Sequence, residues 1–462
     1  MNEELKSLQQ KDKDHHLHPF TDHLQLSKKG TRVITRGEGV YIWDSEGHQI
    51  LDAMSGLWCV NLGYGRKELA QAAYEQMEEL PYYNNFFQCT HPPAIELSSL
   101  LGEISPKGMD HVFFTSSGSE AIDTVVRMVR YHWSLLGKPS KKIILARHNA
   151  YHGSTVAGAS LGGMSGMHAQ GDLPIPNIHH IKQPYWFAEG GDLDKDTFGK
   201  QVANDLERAI KEHGIENIGG FIAEPIQGAG GVIIPPETYW PHVQEIIDRY
   251  EILLIADEVI TGFGRLGDWF ASSVYQIKPD LISFAKGVTS GYLPLGGVLV
   301  NNRVANTIID EGGEFAHGFT YSGHPAACAV ALKNIEIIKE ENILDEVKNK
   351  TAPYLKEEWL KLADHPLVGE ARIKGLMGAI ELCANKETRE RFSSEGRFTS
   401  LDEISAGSLC RDLSINNGLV MRAVGDTMII APPLIINREQ VDELISKATK
   451  TLDDTLAAIN KT

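Results

Sequence analysis

The sequence predicts an α/β protein built around a mostly parallel β-sheet. Apolar segments of strand length alternate with longer amphipathic segments, as where residues 111–115 precede 120–133 and residues 238–250 precede 252–256. This alternation is typical of βα units. The segment 252–256 reads Ile-Leu-Leu-Ile-Ala, with no polar residue. Such a segment indicates a strand that helices cover on both faces.

The same patterns divide the chain into three parts. They are an N-terminal arm with part of a small domain at 1–59, a large domain at 60–325 and a C-terminal small domain at 326–462. In the last part, 326–339 has the pattern of a long helix, and 375–382 and 418–422 have that of strands. Because no internal repeat or low-complexity linker separates the parts, we expect them to pack together.

Composition and charge narrow the class of function. The 462 residues are 42% apolar and 23% charged, and the formal net charge is -17. A negative field repels polyanions, so small molecules are better partners than nucleic acid or an anionic membrane. No uncharged apolar stretch reaches the roughly 18 to 20 residues that span a bilayer. Five scattered cysteines without a CxxC pair favour reduced thiols in the cytoplasm over disulfides.

A candidate phosphate site follows the first strand of the large domain. Residues 112–121 read Val-Phe-Phe-Thr-Ser-Ser-Gly-Ser-Glu-Ala, which predicts a strand, a turn of small residues and the start of a helix. A helix N-terminus offers free N–H groups and partial positive charge to a phosphate. No Lys follows in the Walker manner, so this is not a nucleotide P-loop. An ordinary capped helix would show the same pattern.

Two acids follow apolar strands, at the sheet edge where open α/β folds bind ligands. Asp257 ends the strand at 252–256, and Glu224 ends another apolar segment. Each residue can also be a helix cap or a loop acid. The nearby string Gly-Phe-Gly-Arg-Leu-Gly at 262–267 matches the dinucleotide GxGxxG motif. However, Asp280 precedes the next strand instead of ending it, which disfavours nicotinamide binding.

Lys286 is the candidate nucleophile. It ends the short apolar segment 281–285 and is followed by Gly287 and turn-forming residues. A lysine leaving an apolar strand can be desolvated, which lowers its pKa and makes its amine nucleophilic. Pyridoxal phosphate chemistry needs such an amine, a carboxylate for the pyridine nitrogen and donors for the phosphate. The chain offers all three in order, although most lysines are simply solvated.

With these residues in place, the chain closely resembles the class III, or omega, aminotransferases of the fold-type I pyridoxal phosphate enzymes. The resemblance covers nearly the whole chain, and its most specific part is the run Asp-Glu-Val-Ile-Thr-Gly-Phe-Gly-Arg at 257–265 followed by Lys286. Further matching motifs are Asp-Ala-Met-Ser-Gly-Leu-Trp at 52–58, Ser-Gly-Ser-Glu at 117–120, Tyr-His-Gly at 151–153, Glu-Pro at 224–225 and Gly-Phe-Thr-Tyr-Ser-Gly-His-Pro at 318–325. It implies a large domain with a seven-stranded sheet and a smaller α+β domain.

The resemblance also implies roles for single residues of the cofactor site. Lys286 would hold pyridoxal 5'-phosphate as a Schiff base and act in catalysis, with Asp257 as partner of the pyridine nitrogen. The remaining cofactor-binding residues that it implies are Gly118 and Ser119 for the phosphate, Tyr151 and Val259 for the two faces of the ring, and Glu224. Thr320 would reach the phosphate of a neighbouring subunit, which implies a homodimer with shared active sites.

On the substrate side, the resemblance is to the branch that transfers amino groups from amines or omega-amino acids to pyruvate. It implies an amine pocket lined by Trp58, Phe86, Phe87 and Tyr151. Arg422 would hold the carboxylate of the keto acid, since its planar charged fork suits that group. Tyr151 and Arg422 could otherwise be a core aromatic residue and a surface arginine.

Several alternatives stay open. They are a glutamate-1-semialdehyde type aminomutase, a decarboxylating transaminase and a catalytically silent pyridoxal phosphate-binding regulatory protein. The sequence does not select the amine donor among diamines, beta-alanine, taurine and arylalkylamines. We expect no metal site at His15, His16, His18 and His23, because their spacing alone supplies neither partner ligands nor a second shell.

Overall fold

The computed structural model describes residues 3–392 and 405–461. The strands are β1 (Ile34–Glu38), β2 (Tyr41–Asp44), β3 (Gln49–Asp52), β4 (His111–Thr115), β5 (Ile143–Arg147), β6 (Ile178–Ile181), β7 (Ile218–Ala223), β8 (Leu253–Asp257), β9 (Leu281–Phe284), β10 (Gly296–Val300), β11 (Val368–Lys374), β12 (Met377–Leu382), β13 (Leu419–Val420), β14 (Arg422–Val424) and β15 (Thr427–Ile430).

The helices are α1 (Glu3–His15), α2 (His23–Lys29), α3 (Ser55–Trp58), α4 (Lys67–Glu79), α5 (Pro92–Ile104), α6 (Gly118–Leu135), α7 (Val156–Leu161), α8 (Ser165–His168), α9 (Trp186–Glu189), α10 (Lys195–His213), α11 (Tyr239–Tyr250), α12 (Ala271–Val274), α13 (Asn302–Glu311), α14 (Pro325–Glu340), α15 (Ile343–Glu346), α16 (Ala352–Leu360), α17 (Ala406–Asn416) and α18 (Arg438–Ile459). The described residues also form two 3₁₀ turns, Lys286–Thr289 and Lys361–Asp364, and one π-helical turn, Val347–Thr351. In the part of the chain thus described, no helix is long and apolar enough to cross a membrane.

The central sheet has seven strands in the order β4-β10-β9-β8-β7-β5-β6. Strands β9, β8, β7, β5 and β6 are parallel to one another, whereas β10 runs antiparallel to β4 and to β9. Strands β4 and β9 are therefore parallel to each other, and both end at the edge where β8 ends. The predicted α/β fold with a mostly parallel sheet is confirmed.

The position of β8 in the sheet explains why its sequence is continuously apolar. Leu254 and Ala256 belong to a core cluster that includes residues of α10 and α11. The alternate residues, Leu253 and Ile255, belong to a second cluster, with residues of α6. Since successive side chains of a strand point to opposite faces, helices cover both faces of the sheet.

The predicted elements agree with the structure except near residue 421. The helix predicted at 326–339 is α14, and the strand predicted at 375–382 is β12, which begins after the tight turn at Gly375. The prediction of one strand at 418–422 was wrong. The chain changes sheets at Met421, so that β13 pairs with β3 and β14 pairs with β15.

Two smaller sheets flank the central one. The first has the order β1-β2-β3-β13, in which β13 comes from the C-terminal part of the chain, and the second is the antiparallel sheet β11-β12-β15-β14. All strands of the central sheet lie within residues 111–300. The division of the chain at residues 59/60 and 325/326 stays a prediction.

A buried arginine joins the second small sheet to the large part of the molecule. Arg372 on β11 lies 2.6 Å from Glu381 on β12. The same guanidinium donates to the carbonyl oxygens of Gly231 and Val232, at 2.6 and 2.7 Å. Burial raises the pKa of Glu381, but its ion pairs outweigh that effect and hold the pKa below its usual range. The sheet thereby fixes the segment that follows Glu224.

Candidate active site

A cavity of about 410 Å³ lies at the carboxyl edge of the central sheet. Strands β4, β7, β8 and β9 all lead into it. The site residues predicted from the sequence that line it are Gly118, Ser119, Tyr151, Glu224, Asp257, Val259 and Lys286. These residues are spread over 169 positions of the chain, so the parallel sheet is what brings them together.

The N-terminus of α6 forms one wall of the cavity. Ser117 caps the helix, since its hydroxyl accepts a hydrogen bond from the N–H of Glu120 at 3.2 Å, and the Glu120 carboxylate accepts one from the N–H of Ser116 at 2.7 Å. A Cβ atom at Gly118 would lie 3.1 Å from both methyl groups of Val259. Glycine therefore lets Val259 lie close to the start of the helix, where free N–H groups and the helix dipole favour an anion.

Asp257 presents a buried carboxylate at the end of β8. Its Oδ2 lies 2.6 Å from Nδ1 of His152, whose side chain is fully buried. Its Oδ1 accepts hydrogen bonds from Ser283 Oγ at 3.0 Å and from the N–H of Val259 at 3.2 Å. These three contacts hold the carboxylate in one orientation at the end of β8. A buried carboxyl group held in this way can pair with a nitrogen of a bound ring.

Lys286 follows β9 and projects into the same cavity. Its backbone φ of +50° is unusual for a residue with a side chain, and it turns the chain sharply out of the strand. Burial lowers the pKa of Lys286, against the opposing charges of Asp257 and Glu224, and Arg422 lowers it further. A lowered pKa leaves more of the amine unprotonated, which is the nucleophilic form.

Glu224 positions the segment that carries Tyr151. The Glu224 carboxylate accepts the N–H of Tyr151 at 3.1 Å and the N–H of Gly228 at 2.8 Å. Burial raises the pKa of this carboxyl group, although His152 lies near enough to oppose the shift. The Tyr151 ring is partly exposed and lines the cavity, as does Val259.

Two predicted substrate residues lie beside this cavity. Arg422, at the start of β14, is close enough to affect the pKa of Lys286, and burial lowers its own pKa. Trp58 is 1% exposed and packs in a core cluster with Ile226 and Ile260, the second of which lines the cavity. Trp58 is thus behind the cavity wall, whereas its neighbour Cys59 forms part of it.

The other three predicted residues lie outside this cavity. Phe86 lines a separate cavity of about 280 Å³ with His317 and Gly318. Phe87 is 89% exposed, and Thr320 is also exposed and accepts a hydrogen bond on its carbonyl oxygen from Tyr82 at 2.7 Å. A single chain therefore does not bring these residues to Lys286.

Sequence reasoning missed three residues that the structure places at the site. His152 bonds Asp257, Cys59 lines the cavity, and the ring of Phe20 lies 6.3 Å from that of Tyr151 in an edge-to-face contact. Of these three, only His152 could have been suspected from the sequence, because it follows Tyr151 in the Tyr-His-Gly motif. Phe20 belongs to the N-terminal arm, which reaches the cavity mouth.

The GxGxxG string forms a buried turn and opens no helix. Phe263 and Gly264 have positive φ, and α12 begins only at Ala271. Arg265 is fully buried, donates to Asn61 Oδ1 at 2.5 Å and also bonds the carbonyl oxygen of Pro432. The turn joins distant segments of the chain, so its glycines serve packing.

The cavity fits pyridoxal 5'-phosphate by the chemistry of its groups. An amine with a lowered pKa, a buried carboxylate and an open helix N-terminus are the three groups that this cofactor requires, and one cavity contains all of them. Lys286 would hold the aldehyde carbon, Asp257 the pyridine nitrogen and the start of α6 the phosphate.

Comparison with known proteins agrees with this fit. The sequence model of the class III aminotransferases matches residues 25–452. The putrescine–pyruvate aminotransferase of Pseudomonas aeruginosa is 60% identical over 458 residues, which cover 99% of this chain and 98% of that protein. A chloroplastic gamma aminobutyrate transaminase of Solanum lycopersicum is 43% identical over 95% of this chain and 84% of its own length.

Solved structures show the same architecture. An (S)-enantioselective omega-transaminase from Thermomicrobium roseum superposes with a TM-score of 0.92 at 42% identity, and covers 98% of this chain and 99% of its own. The omega transaminase of Pseudomonas jessenii in complex with PMP gives a TM-score of 0.94 at 40% identity, with coverage of 98% and 99%. The chain belongs to the class III aminotransferases, which are pyridoxal phosphate-dependent enzymes of the omega-transaminase fold.

Proposed function

We propose that the enzyme moves the amino group of a primary amine or omega-amino acid to pyruvate and releases an aldehyde or ketone together with alanine. The observation that carries this proposal is the 60% identity, over 99% of the chain, to a putrescine–pyruvate aminotransferase. That relative also makes a diamine of the putrescine type the first donor to test. The five cysteines are free in the structure, which supports the proposal that the enzyme works in the reducing cytoplasm.

The residues of the cavity divide the chemistry between them. Pyridoxal phosphate, when bound, supplies an aldehyde for the amino group and a ring that accepts electrons. Asp257 would pair with the ring nitrogen and favour a proton there. Lys286, freed when the substrate amine takes its place, would accept the proton of the substrate carbon at Nζ and deliver it to the carbon that had carried the aldehyde. Its lowered pKa suits it to act as the base.

Donor preference can be measured directly. We expect putrescine to convert the pyridoxal form of the enzyme faster than gamma-aminobutyrate, beta-alanine, taurine or an arylalkylamine does, as followed by loss of the cofactor absorbance. Pyruvate added afterwards should restore the absorbance and yield alanine. An enzyme that reacts with every donor but is restored only by an acceptor other than pyruvate would refute the proposed acceptor.

Arg422 is proposed to bind the carboxylate of pyruvate. A carboxylate in a largely apolar cavity needs a charged partner, and Arg422 is a partly buried guanidinium near Lys286. Arg422→Ala should therefore slow the half-reaction with pyruvate by about 10-fold to 150-fold, since such charged hydrogen bonds contribute roughly 1.5 to 3 kcal/mol. The half-reaction with putrescine, which lacks a carboxylate, should change little.

Single-turnover kinetics of the two half-reactions test this division. Arg422→Lys is the matched variant, because it keeps the charge but loses the planar fork, and it should fall between the wild type and Arg422→Ala. Equal loss in both half-reactions, or loss with the amine alone, would mean that Arg422 is structural and that another group binds the acceptor.

We also propose a homodimer with shared active sites. Phe87 and Tyr321 are large apolar side chains that are 89% and 61% exposed, and Thr320 and Tyr82 lie beside them. An exposed aromatic surface of this kind marks a contact with another protein surface. In a single chain, Phe86, Phe87 and Thr320 lie outside the cavity of Lys286. We propose that a second copy of the chain packs on this surface, so that these residues reach the cavity of the neighbouring subunit.

Subunit mixing tests that arrangement. Lys286→Ala and Thr320→Arg should each abolish most activity alone. In a mixed dimer, one site then contains both substitutions and the other contains neither. Equal mixing should restore about a quarter of the wild-type sites, since half the dimers are mixed and each has one intact site of two. If mass spectrometry shows that mixed dimers have formed but the mixture regains no activity, Thr320 does not act on the neighbouring site.

A further inference from the structure

We propose that the N-terminal arm binds a transition-metal ion of the zinc class through Asp12, His16 and His18. The structure brings one carboxylate oxygen and two imidazole nitrogens of these residues within 4.8 Å of one another. The histidine spacing alone did not indicate a site. The missing ligand is Asp12, which lies one helical turn before His16.

The local fold explains why these side chains meet. Asp12 lies in the last turn of α1, and the N–H of His16 donates to the Asp12 carbonyl oxygen at 2.9 Å, which extends the helical turn by one residue. Side chains four residues apart on a helix lie on one face. The chain then reverses, so that His18 returns to the same carboxylate.

The distances suit coordination by a small divalent ion. Asp12 Oδ1 lies 3.1 Å from His16 Nδ1 and 2.9 Å from His18 Nε2. Ligand atoms bound at about 2.0 to 2.2 Å in a tetrahedron are themselves roughly 3.3 Å apart, so only small movements are needed. Two imidazoles and one carboxylate suit Zn²⁺ and its neighbours, and three protein ligands leave one position for water.

The carboxylate also has an outer partner. Thr31 donates its hydroxyl to Asp12 Oδ2, the oxygen that His16 does not contact, and the Thr31 carbonyl oxygen accepts a hydrogen bond from Gln9 at 2.8 Å. Metal-binding side chains are commonly oriented by such hydrogen bonds. His23 has a different contact, because its Nε2 accepts the N–H of His18 at 3.0 Å.

A second group of similar composition, Asp44, Glu46 and His48, does not support the same conclusion. There, Arg32 donates to Asp44 Oδ2 at 2.7 Å, and the backbone N–H groups of Glu46 and His48 both donate to Oδ1 at 3.0 Å. A guanidinium already neutralises that carboxylate and repels a metal ion. No Lys or Arg is paired with Asp12 among the ion pairs of the described residues.

The position of the site connects it to the enzyme's cavity. Phe20 follows His18 by two residues, and its ring contacts that of Tyr151. The side chain of Phe20 is 71% exposed, so it anchors the segment between α1 and α2 only weakly. The contacts of His16 and His18 with Asp12 therefore help to hold this segment in place. A bound ion would fix His18 to α1 and thereby hold Phe20 at the cavity mouth.

Metal titration of the untagged holoenzyme tests the proposal. After treatment with a chelator, the wild type should bind one Zn²⁺ per chain by calorimetry, and Co²⁺ should give the visible absorption bands of a tetrahedral site. His16→Ala and His18→Ala should lose this binding. Thr31→Val should weaken it by about tenfold to a hundredfold. The matched control is His15→Ala, a neighbouring arm histidine outside the cluster, which should bind as the wild type does.

Zinc should also slow tryptic cleavage after Lys11 and Lys13 in the wild type but not in His18→Ala. Melting temperatures of all variants, measured without metal, confirm that the folded state is intact. The proposal is wrong if the wild type shows no saturable binding, if His18→Ala retains the wild-type affinity, or if His48→Ala loses binding while His18→Ala does not.

Discussion

Lys286→Ala is expected to lower turnover by about 10⁴-fold or more while the protein stays folded. The substitution removes both the covalent attachment of the cofactor and the base that moves the substrate proton, and general acid–base catalysis alone contributes 10² to 10⁴. The cofactor should still bind, because Asp257, Tyr151 and the N-terminus of α6 remain. Single-turnover absorbance with putrescine measures the loss.

The attachment itself is tested by borohydride reduction. In the wild type, reduction should fix the cofactor on the peptide that contains Lys286, and in Lys286→Ala the cofactor should be removed by dialysis. Lys278→Ala, at an exposed lysine before β9, is the matched control and should behave as the wild type does. Labelling of any other lysine in the wild type would overturn the assignment of Lys286.

Asp257→Asn should slow proton transfer by about 10-fold to 1000-fold. An opposite charge at this range shifts a pKa by about 1 to 3 units, which is roughly 1.4 to 4 kcal/mol. The amide has nearly the same shape but no charge, so the ring nitrogen would lose its proton and the ring would accept electrons less readily. The His152 and Ser283 donors would also meet an amide in place of a carboxylate oxygen.

Ser283→Ala separates charge from hydrogen bonding in this prediction. It removes one donor to Asp257 at 3.0 Å and keeps the carboxylate, so kcat should fall far less than in Asp257→Asn. Stopped-flow spectra with saturating amine compare the two variants. Near-normal turnover in Asp257→Asn, with cofactor content equal to that of the wild type, would refute the electrostatic role.

The fold and the centre of the site were predictable from short-range patterns. Strand β8 has no polar residue before Asp257, and Lys286 leaves a strand of four buried residues. Both positions are strand ends, and a parallel sheet collects its strand ends at one edge. The strand–turn–helix pattern at 112–121 pointed to Gly118 in the same way. The resemblance to a known family then supplied Tyr151 and Val259, which no local pattern distinguishes from core residues.

Contacts between distant segments were not predictable in this way. His152 and Asp257 are 105 positions apart, and no pattern in either segment predicts that the two side chains lie 2.6 Å from each other. Phe20 reaches Tyr151 only through the path of the arm. Phe86, Phe87 and Thr320 have a further obstacle, because their proposed function depends on a second copy of the chain.

The change of sheet at Met421 also escaped prediction. The segment 418–422 is apolar enough for one strand, and hydrophobic pattern does not reveal which partner a strand will have. Leu419 pairs with Leu51, whereas Arg422 pairs with Ile429 in another sheet. This division places Arg422 in the second small sheet, near enough to Lys286 to affect its pKa, and not in the first.

Strand β3 and the residues after it bond segments of the chain that are translated much later, β13 and Ala431, and this has a consequence for biosynthesis. The hydroxyl of Ser55 bonds the carbonyl oxygen of Ala431, 376 positions later, and Ala53 accepts the N–H of the same residue. At about 5 to 20 residues per second, a ribosome needs roughly 20 to 75 s to synthesise the intervening chain. During that time the segment that carries Cys59 has no C-terminal partner. One of the earliest parts of the cavity wall to be translated is therefore among the last to be completed, and chaperones have that interval in which to protect it.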